Sequence, residues 1–285
     1  INDAPIIDAI ANQNTDEDTS LTLTLTAFDV DGDALSYTAT DGDTSLEIDG
    51  DQLTITPLPD FNGEVNITVT VTDAQLIDST NFTLTVNPVN DAPVSESVSS
   101  QTDEDTSVTV TLIASDIDGD ALTYLLDDAS SDGSVSIADD AATFTPDDNY
   151  NGTTSFTYLV TDGELTSSSS TVTIVVNAVN DAPVLAAIED QSIDEDTNLV
   201  LTLSANDVDG DVLTYSASVD GNADVSVVDN ILTVIPDINY NGSIVVDVTV
   251  SDGQYIDTES FVLTVNPLND APVLAAIEDQ SIDED

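Results

Sequence analysis

The sequence predicts an all-β protein of tandem seven-stranded Greek-key β-sandwiches in a linear array. Three observations carry that reading: a repeat of about 89 residues, a two-residue alternation inside each repeat, and turn residues at fixed stations. The tetrapeptide NDAP occurs at 2–5, 90–93, 180–183 and 269–272, giving spacings of 88, 90 and 89 residues. The repeats are therefore expected at 1–89, 90–179 and 180–268, and 269–285 is expected to open a fourth with its first strand. The last 17 residues are identical to 180–196, as an array that continues would require.

Each element follows from a local pattern. LTLTLTA at 21–27, VNITVTVTD at 65–73 and FVLTV at 261–265 alternate apolar with Thr or polar residues, the signature of half-buried strands. In the third repeat this gives about seven runs, near 184–188, 199–205, 212–218, 225–228, 231–235, 244–250 and 256–265. Asp229-Asn230 lies between two of them and predicts a tight hairpin, and Asn-Gly closes each FNG or YNG loop. Seven short antiparallel strands in that length fit a sandwich of immunoglobulin-like type. Its core takes the inward Leu, Val and Ile together with Tyr37, Phe144 and Tyr240.

Composition bounds the function. The 285 residues carry 57 Asp plus Glu and no Lys, Arg or His, a formal charge of −57. A chain with nothing to pair with phosphate is expected to bind neither nucleic acid nor an anionic membrane surface. With no Cys and no Lys, neither a disulfide nor a Lys–Asn isopeptide staple is available. No apolar run approaches the roughly 20 residues of a membrane span, so no membrane insertion is expected in this segment. The hydrophobic fraction of 40% is that of a folding chain. Its natural partners are cations.

The acids are not scattered. DVDGDALSY at 29–37 returns as DIDGDALTY at 116–124 and DVDGDVLTY at 207–215, while DED stands at 16–18, 103–105, 194–196 and 283–285. Salt adaptation explains drifting Asp residues and does not explain fixed stations. Hard oxygen donors without His or Cys point to Ca²⁺. An EF-hand loop is excluded, because counting from Asp29, Asp116 and Asp207 puts Ala34, Ala121 and Val212 where Gly is required. NDAP and DED lie 13 or 14 residues apart, enough extended chain to cross a sandwich. The Glu of DED is thus expected at the far end of its own repeat, and the DxDGD loop and the VTDG Asp at the near end of theirs.

These residues resemble a family. NDAP resembles the cadherin linker pattern Asp-x-Asn-Asp-Asn-x-Pro, AFDVDGDALSY its Asp-x-Asp segment, DED its early strand-end Glu and VTDG its late-strand Asp. The whole pattern is similar to the cadherin-like repeats of large bacterial surface adhesins, and the likeness covers all three repeats and the closing fragment. The resemblance implies calcium ions held between repeats. It assigns one junction to Glu17, Asn90, Asp91, Asp116, Asp118 and Asp162, and the next to Glu104, Asn180, Asp181, Asp207, Asp209 and Asp252. Asn2, Asp3, Asp29, Asp31 and Asp73 would face a preceding domain, and Glu195, Asn269 and Asp270 the fourth repeat. The cadherin Leu-Asp-Arg-Glu segment is absent, and Asp60, Asn149 and Asn239 stand in its place.

Five carboxylates at one junction make ten like-charge pairs. Even discounted for distance and screening, their sum rivals the stability of a domain, about 5–15 kcal/mol. Cations are expected to lock neighbouring repeats in line. Extracellular calcium modules bind at about 10⁻⁴–10⁻³ M, which places the chain outside the cell or on its surface. The expected function is a calcium-rigidified extension segment of a secreted or cell-surface adhesin or fibre. Its partners would be neighbouring repeats and an adhesive target. The alternative is a self-associating extracellular filament or biofilm-matrix protein whose partners are identical chains. Catalysis is not expected: triads need a His or Lys, and a catalytic carboxylate pair would be singular rather than repeated in every domain.

Overall fold

A computed structural model describes residues 1–42, 44–279 and 281–282. The described residues form strands and no helix, so no helix is long and apolar enough to cross a membrane. Each repeat supplies nine strands in the same order. Repeat 1 runs β1 (Ile6–Ile7), β2 (Gln13–Asp16), β3 (Leu21–Thr24), β4 (Ala27–Phe28), β5 (Ser36–Thr40), β6 (Thr44–Asp49), β7 (Gln52–Pro57), β8 (Gly63–Thr72) and β9 (Ile77–Asn87). Repeat 2 runs β10 (Val94–Glu96), β11 (Val98–Asp103), β12 (Val108–Thr111), β13 (Ile113–Ser115), β14 (Thr123–Asp128), β15 (Gly133–Ala138), β16 (Ala141–Pro146), β17 (Gly152–Thr161) and β18 (Ser170–Asn177). Repeat 3 runs β19 (Val184–Leu185), β20 (Gln191–Asp194), β21 (Leu199–Thr202), β22 (Ala205–Asn206), β23 (Thr214–Val219), β24 (Ala223–Val228), β25 (Ile231–Pro236), β26 (Gly242–Ser251) and β27 (Ile256–Asn266).

All the sheets stay within a repeat. In repeat 1 a four-stranded sheet β2-β9-β8-β5 faces a three-stranded sheet β3-β7-β6, with β1 paired to β4 at the rim. Repeats 2 and 3 keep the same order. The alternation read from the sequence is the alternation of burial: along β8, Val65, Ile67, Val69 and Val71 are buried. They meet Leu53 and Ile55 of β7 and Leu84 of β9 in one apolar cluster. In repeat 2, Phe144, Phe156 and Tyr158 fill the equivalent space. Tyr37 and Tyr240 pack partly buried against the cores of repeats 1 and 3. By packing, the chain forms two compact units, one of Ile1–Asp147 with Gly152–Val176, the other of Asp148–Asn151 with the residues from Asn177 on.

The strand boundaries differ from expectation in three places. The two facing sheets of each repeat have the expected seven strands, four plus three, and a short pair at the rim is added because the N-terminal part of each repeat is divided between sheets. In repeat 3 the expected run 199–205 is two strands, β21 and β22, paired to β25 and β19 respectively. The strand β20 was not anticipated, since QSID has a single apolar residue and no alternation; it forms by parallel pairing, Gln191 to Leu263 through Asp194 to Asn266. The first strand expected in 269–285 is not formed among the described residues beyond Asn266. Val184–Leu185, at the same station of repeat 3, forms its strand by pairing with Ala205–Asn206. The closing DED at 283–285 lies outside the described residues. The hairpin at Asp229-Asn230 forms with Val228 opposite Ile231 and Asp229 at φ 53°, as a two-residue turn with left-handed backbone demands.

Candidate metal centre

Parallel pairing explains where the Glu of DED lies. β2 runs beside β9 in the same direction, so it ends where β9 runs out into the linker. Thr15 Oγ1 donates to Thr19 O (3.0 Å) and Asp18 takes φ 56°, which turns the chain there. Glu17 is left only 3% exposed, its N–H on Asn87 O (3.0 Å) and its Oε1 accepting from Val89 N (2.5 Å). Glu195 repeats this with Leu268 N (2.5 Å), and its other oxygen accepts from Asn241 Nδ2 (3.3 Å). Glu104 is likewise buried, at the end of β11.

The near end of each repeat is built from the other stations. Asp29 Oδ1 accepts from the backbone N–H of Asp31 (2.9 Å) and Asp33 (3.3 Å). Asp116 Oδ1 gathers those of Asp118, Gly119 and Asp120, and Asp207 Oδ1 that of Asp211. This curl needs a left-handed residue, supplied by Gly32 at φ 76°, Gly119 at 80° and Gly210 at 77°. The linker is tied to the loop by Asp3 N–H on Asp31 Oδ2 (2.8 Å), Asp91 N–H on Asp118 Oδ2 (2.8 Å) and Asp181 N–H on Asp209 Oδ2 (2.7 Å).

Asp73, Asp162 and Asp252 anchor the linker Asn. Their Oδ1 atoms cap two backbone N–H groups each, and their Oδ2 atoms accept from Asn2, Asn90 and Asn180 Nδ2, all at 2.8 Å. The donors hold these carboxyls below the usual range. For Asp73 the Leu76 N–H leads, and for Asp162 it is Asn90. At Asp252 burial pushes upward and is outweighed by Asn180, Tyr255 and Gln254. Asn269 and Asp270 are exposed, with Asn269 Nδ2 on Asp270 O (3.3 Å).

The first unit brings far end, linker and near end together. Glu17, Asp91 and Asp118 each place an oxygen within 4.8 Å of the other two, and so do Asp18, Asp60 and Asp91. Asp116, Asp118 and Asp120 form a further group that shares Asp118, and Asp29, Asp31 and Asp33 form the matching group in repeat 1. Asp60, Asn90, Asp118, Asp120 and Glu164 line an open cleft of about 480 Å³. Desolvation, then the charges of Asp60, Asp118, Asp18 and Glu17, raise the Asp91 carboxyl above its ordinary value. Asp18, Asp33 and Asp120 were missed as candidates. Their signal was present, because the last Asp of DED and the third Asp of DxDGD recur at fixed stations; the two-acid pattern of the resemblance cut them off. In the second unit, Asn180, Asp181, Asp209 and Asp252 make the near-end arrangement, and Asn239 N–H donates to Asp196 (3.1 Å) as Asp60 N–H does to Asp18 (3.4 Å).

The donor set fits a hard cation. Asp29 Oδ2, Asp91 Oδ2, Asp116 Oδ2 and Asp207 Oδ2 are buried with no hydrogen-bond partner. A buried carboxylate oxygen without a donor is costly, and this chain has no basic side chain to supply one. Clustered oxygens with no nitrogen or sulfur suit Ca²⁺, which accepts six to eight oxygens in flexible geometry.

Two sheets packed face to face, repeated with the same strand order, define a tandem Ig-like sandwich protein. The model of the bacterial Ig domain matches residues 2–87, 90–175 and 180–266, and the chain belongs to that family. Chitinase A of Pseudoalteromonas piscicida is 31% identical over 165 residues, 55% of this chain; the chain spans about one-fifth (20%) of that relative. Among solved structures, human CDH23 EC21-23 superposes with a TM-score of 0.58 at 16% identity, covering 92% of this chain and 100% of that one. Protocadherin Gamma B2 extracellular cadherin domains 3-6 match with a TM-score of 0.47 at 15% identity, covering 95% and 77%.

Proposed function

We propose that this chain is a calcium-rigidified extension segment of a secreted or cell-surface adhesin or fibre, with Ca²⁺ bound at the junctions between repeats. The observation that carries the proposal is the cluster of Glu17, Asp91 and Asp118, one acid each from the far end of repeat 1, the linker and the near end of repeat 2. Oxygens this close lie well inside the Debye length of about 8 Å at physiological salt, so dissolved ions screen them poorly. A bound divalent ion would be attracted to all three elements at once. The protein side of the work is then positioning. Asp162 holds Asn90, Val89 holds Glu17, and Asp118 holds the Asp91 backbone, so the donors converge before an ion arrives.

The role is mechanical rather than catalytic. Equivalent acids recur in every repeat, as a spacer requires and a single reaction centre does not. Similarity to a fifth of chitinase A suits a module carried within a longer chain. A chelator titration followed by small-angle scattering tests the reading. Calcium should lengthen and stiffen the particle, and unchanged dimensions with and without chelator would overturn it.

A further inference from the structure

The outer face of one sheet in repeat 3 is apolar where the other repeats are polar. Along β21-β25-β24 the side chains that point away from the core are Val200 and Thr202, then Ile231, Thr233 and Ile235, then Asp224, Ser226 and Val228. Val228 stands directly opposite Ile231, and Val200 stands opposite Thr233, with Ile231 and Ile235 on its diagonals. The four aliphatic side chains thus form one continuous patch, each between 38% and 68% exposed.

The fold does not ask for this patch. The matching positions are Thr22, Asp49, Gln52 and Thr56 in repeat 1, and Thr109, Ala138, Ala141 and Thr145 in repeat 2. There the face is knit by hydroxyls, Thr22 with Thr54 (3.3 Å) and Thr109 with Thr143 (3.0 Å). In repeat 3 Val200 takes the place of the first hydroxyl and can make no such bond. Exposing four aliphatic side chains together gains nothing for a lone sandwich, and contiguous exposed apolar surface marks a place where another molecule docks.

Charge decides between occupants. Exposed acids stand at both ends of the patch: Asp229 in the turn after Val228, and Asp224 opposite Ile235 with Asp237 just beyond it. A second copy would set the same acids against these, and the chain has no Lys, Arg or His to offset them. The face is also small, roughly 14 by 20 Å from three strands about 4.8 Å apart and at most six residues long. That is far short of the about 800 Å² per partner that a stable protein pair buries. We propose that the outer face of β21-β25-β24 docks a short extended segment of another polypeptide, apolar in its middle and basic at its ends. Its aliphatic side chains cover Val200, Val228, Ile231 and Ile235, and its Lys or Arg residues pair with Asp224, Asp229 and Asp237. The inference does not depend on calcium.

The test titrates the full chain, at physiological salt, with the synthetic peptide Lys-Lys-Val-Thr-Val-Thr-Val-Lys-Lys and with a counterpart of equal charge that carries Ser in place of Val. Amide resonances of 200–202 and 224–235 should shift with the first peptide, which should bind about tenfold more tightly than the second. The triple variant Val200→Thr, Ile231→Gln and Ile235→Thr places the residues of repeat 1 at exposed positions. It should lose that preference while keeping the native melting temperature. Equal binding of the two peptides, or shifts spread over all three repeats, would reduce the attraction to net charge and refute the proposal. A preference that survives the three substitutions refutes the assignment to this face. Dimerisation in sedimentation that the same variant abolishes would also refute the proposal, by giving the face to a second copy.

Discussion

Replacing Glu17 by Gln is expected to have opposite effects with and without calcium. The substitution keeps an oxygen for Val89 N–H and removes one charge from a nearly buried side chain beside Asp91 and Asp118. In chelator the native cluster repels itself, so the neutral variant should melt at the same temperature or higher. In calcium the variant has lost a charged donor. A site with a dissociation constant of about 10⁻⁴ M contributes about 2.7 kcal/mol at about 10 mM Ca²⁺. For a domain of this size that is a rise of roughly 10–20 °C in melting temperature. Weakening the site tenfold to about 10⁻³ M should cut the contribution to about 1.4 kcal/mol, removing about half of the rise. Differential scanning calorimetry in chelator and in calcium reads both arms. A variant that melts lower by the same amount in both buffers would make Glu17 a packing residue and refute the electrostatic account.

Other perturbations have definite signs. Tyr158→Phe removes a buried hydroxyl that donates to Glu96 O (2.6 Å) or Ile113 O (2.8 Å), and urea unfolding should show a loss of about 1–3 kcal/mol. Gly133→Ala drives a Cβ into Thr145 O and the Phe144 ring, and should cost about 1–3 kcal/mol by the same measurement. Gly32→Ala meets no atom within 4 Å but sits at φ 76°, so its cost should be near 1 kcal/mol. Acid titration in chelator should show two opposed trends. Asp91 has a raised folded pKa, so its contribution is fully present below the ordinary value of 3.8 and is lost as pH rises through the folded pKa. Asp73, Asp162 and Asp252 are depressed, so theirs is present above 3.8 and lost as pH falls through their folded values. Melting temperature in chelator should therefore rise on mild acidification and fall on stronger acidification, and Asp91→Asn should abolish only the rise.

Much of this molecule was legible because its sandwich obeys one period. Val65, Ile67, Val69 and Val71 alternate with polar residues in the sequence and with exposed residues in β8. The two-residue turn at Asp229-Asn230 was readable for a similarly local reason. β20 was not, because its strand character comes from a partner about 70 residues away rather than from its own polar sequence. The β-bulge at Asp127 in β14 was hidden in the same way. For the site, the near and far ends followed from chain length, whereas burial of the charges did not. Composition places Asp29 and Glu17 on a solvated surface, and only the curl of the loop and the parallel end of β2 enclose them. The grouping of Asp18, Asp60 and Asp91 required a turn and a loop 42 residues apart to meet.

The central claim is that one ion is held jointly by Glu17, Asp91 and Asp118. Anomalous diffraction from crystals grown with calcium, or with a lanthanide in its place, addresses it directly. The account expects a peak within about 2.3–2.6 Å of oxygens from all three side chains. Density for water alone, with the three carboxylates turned apart into solvent, would contradict it.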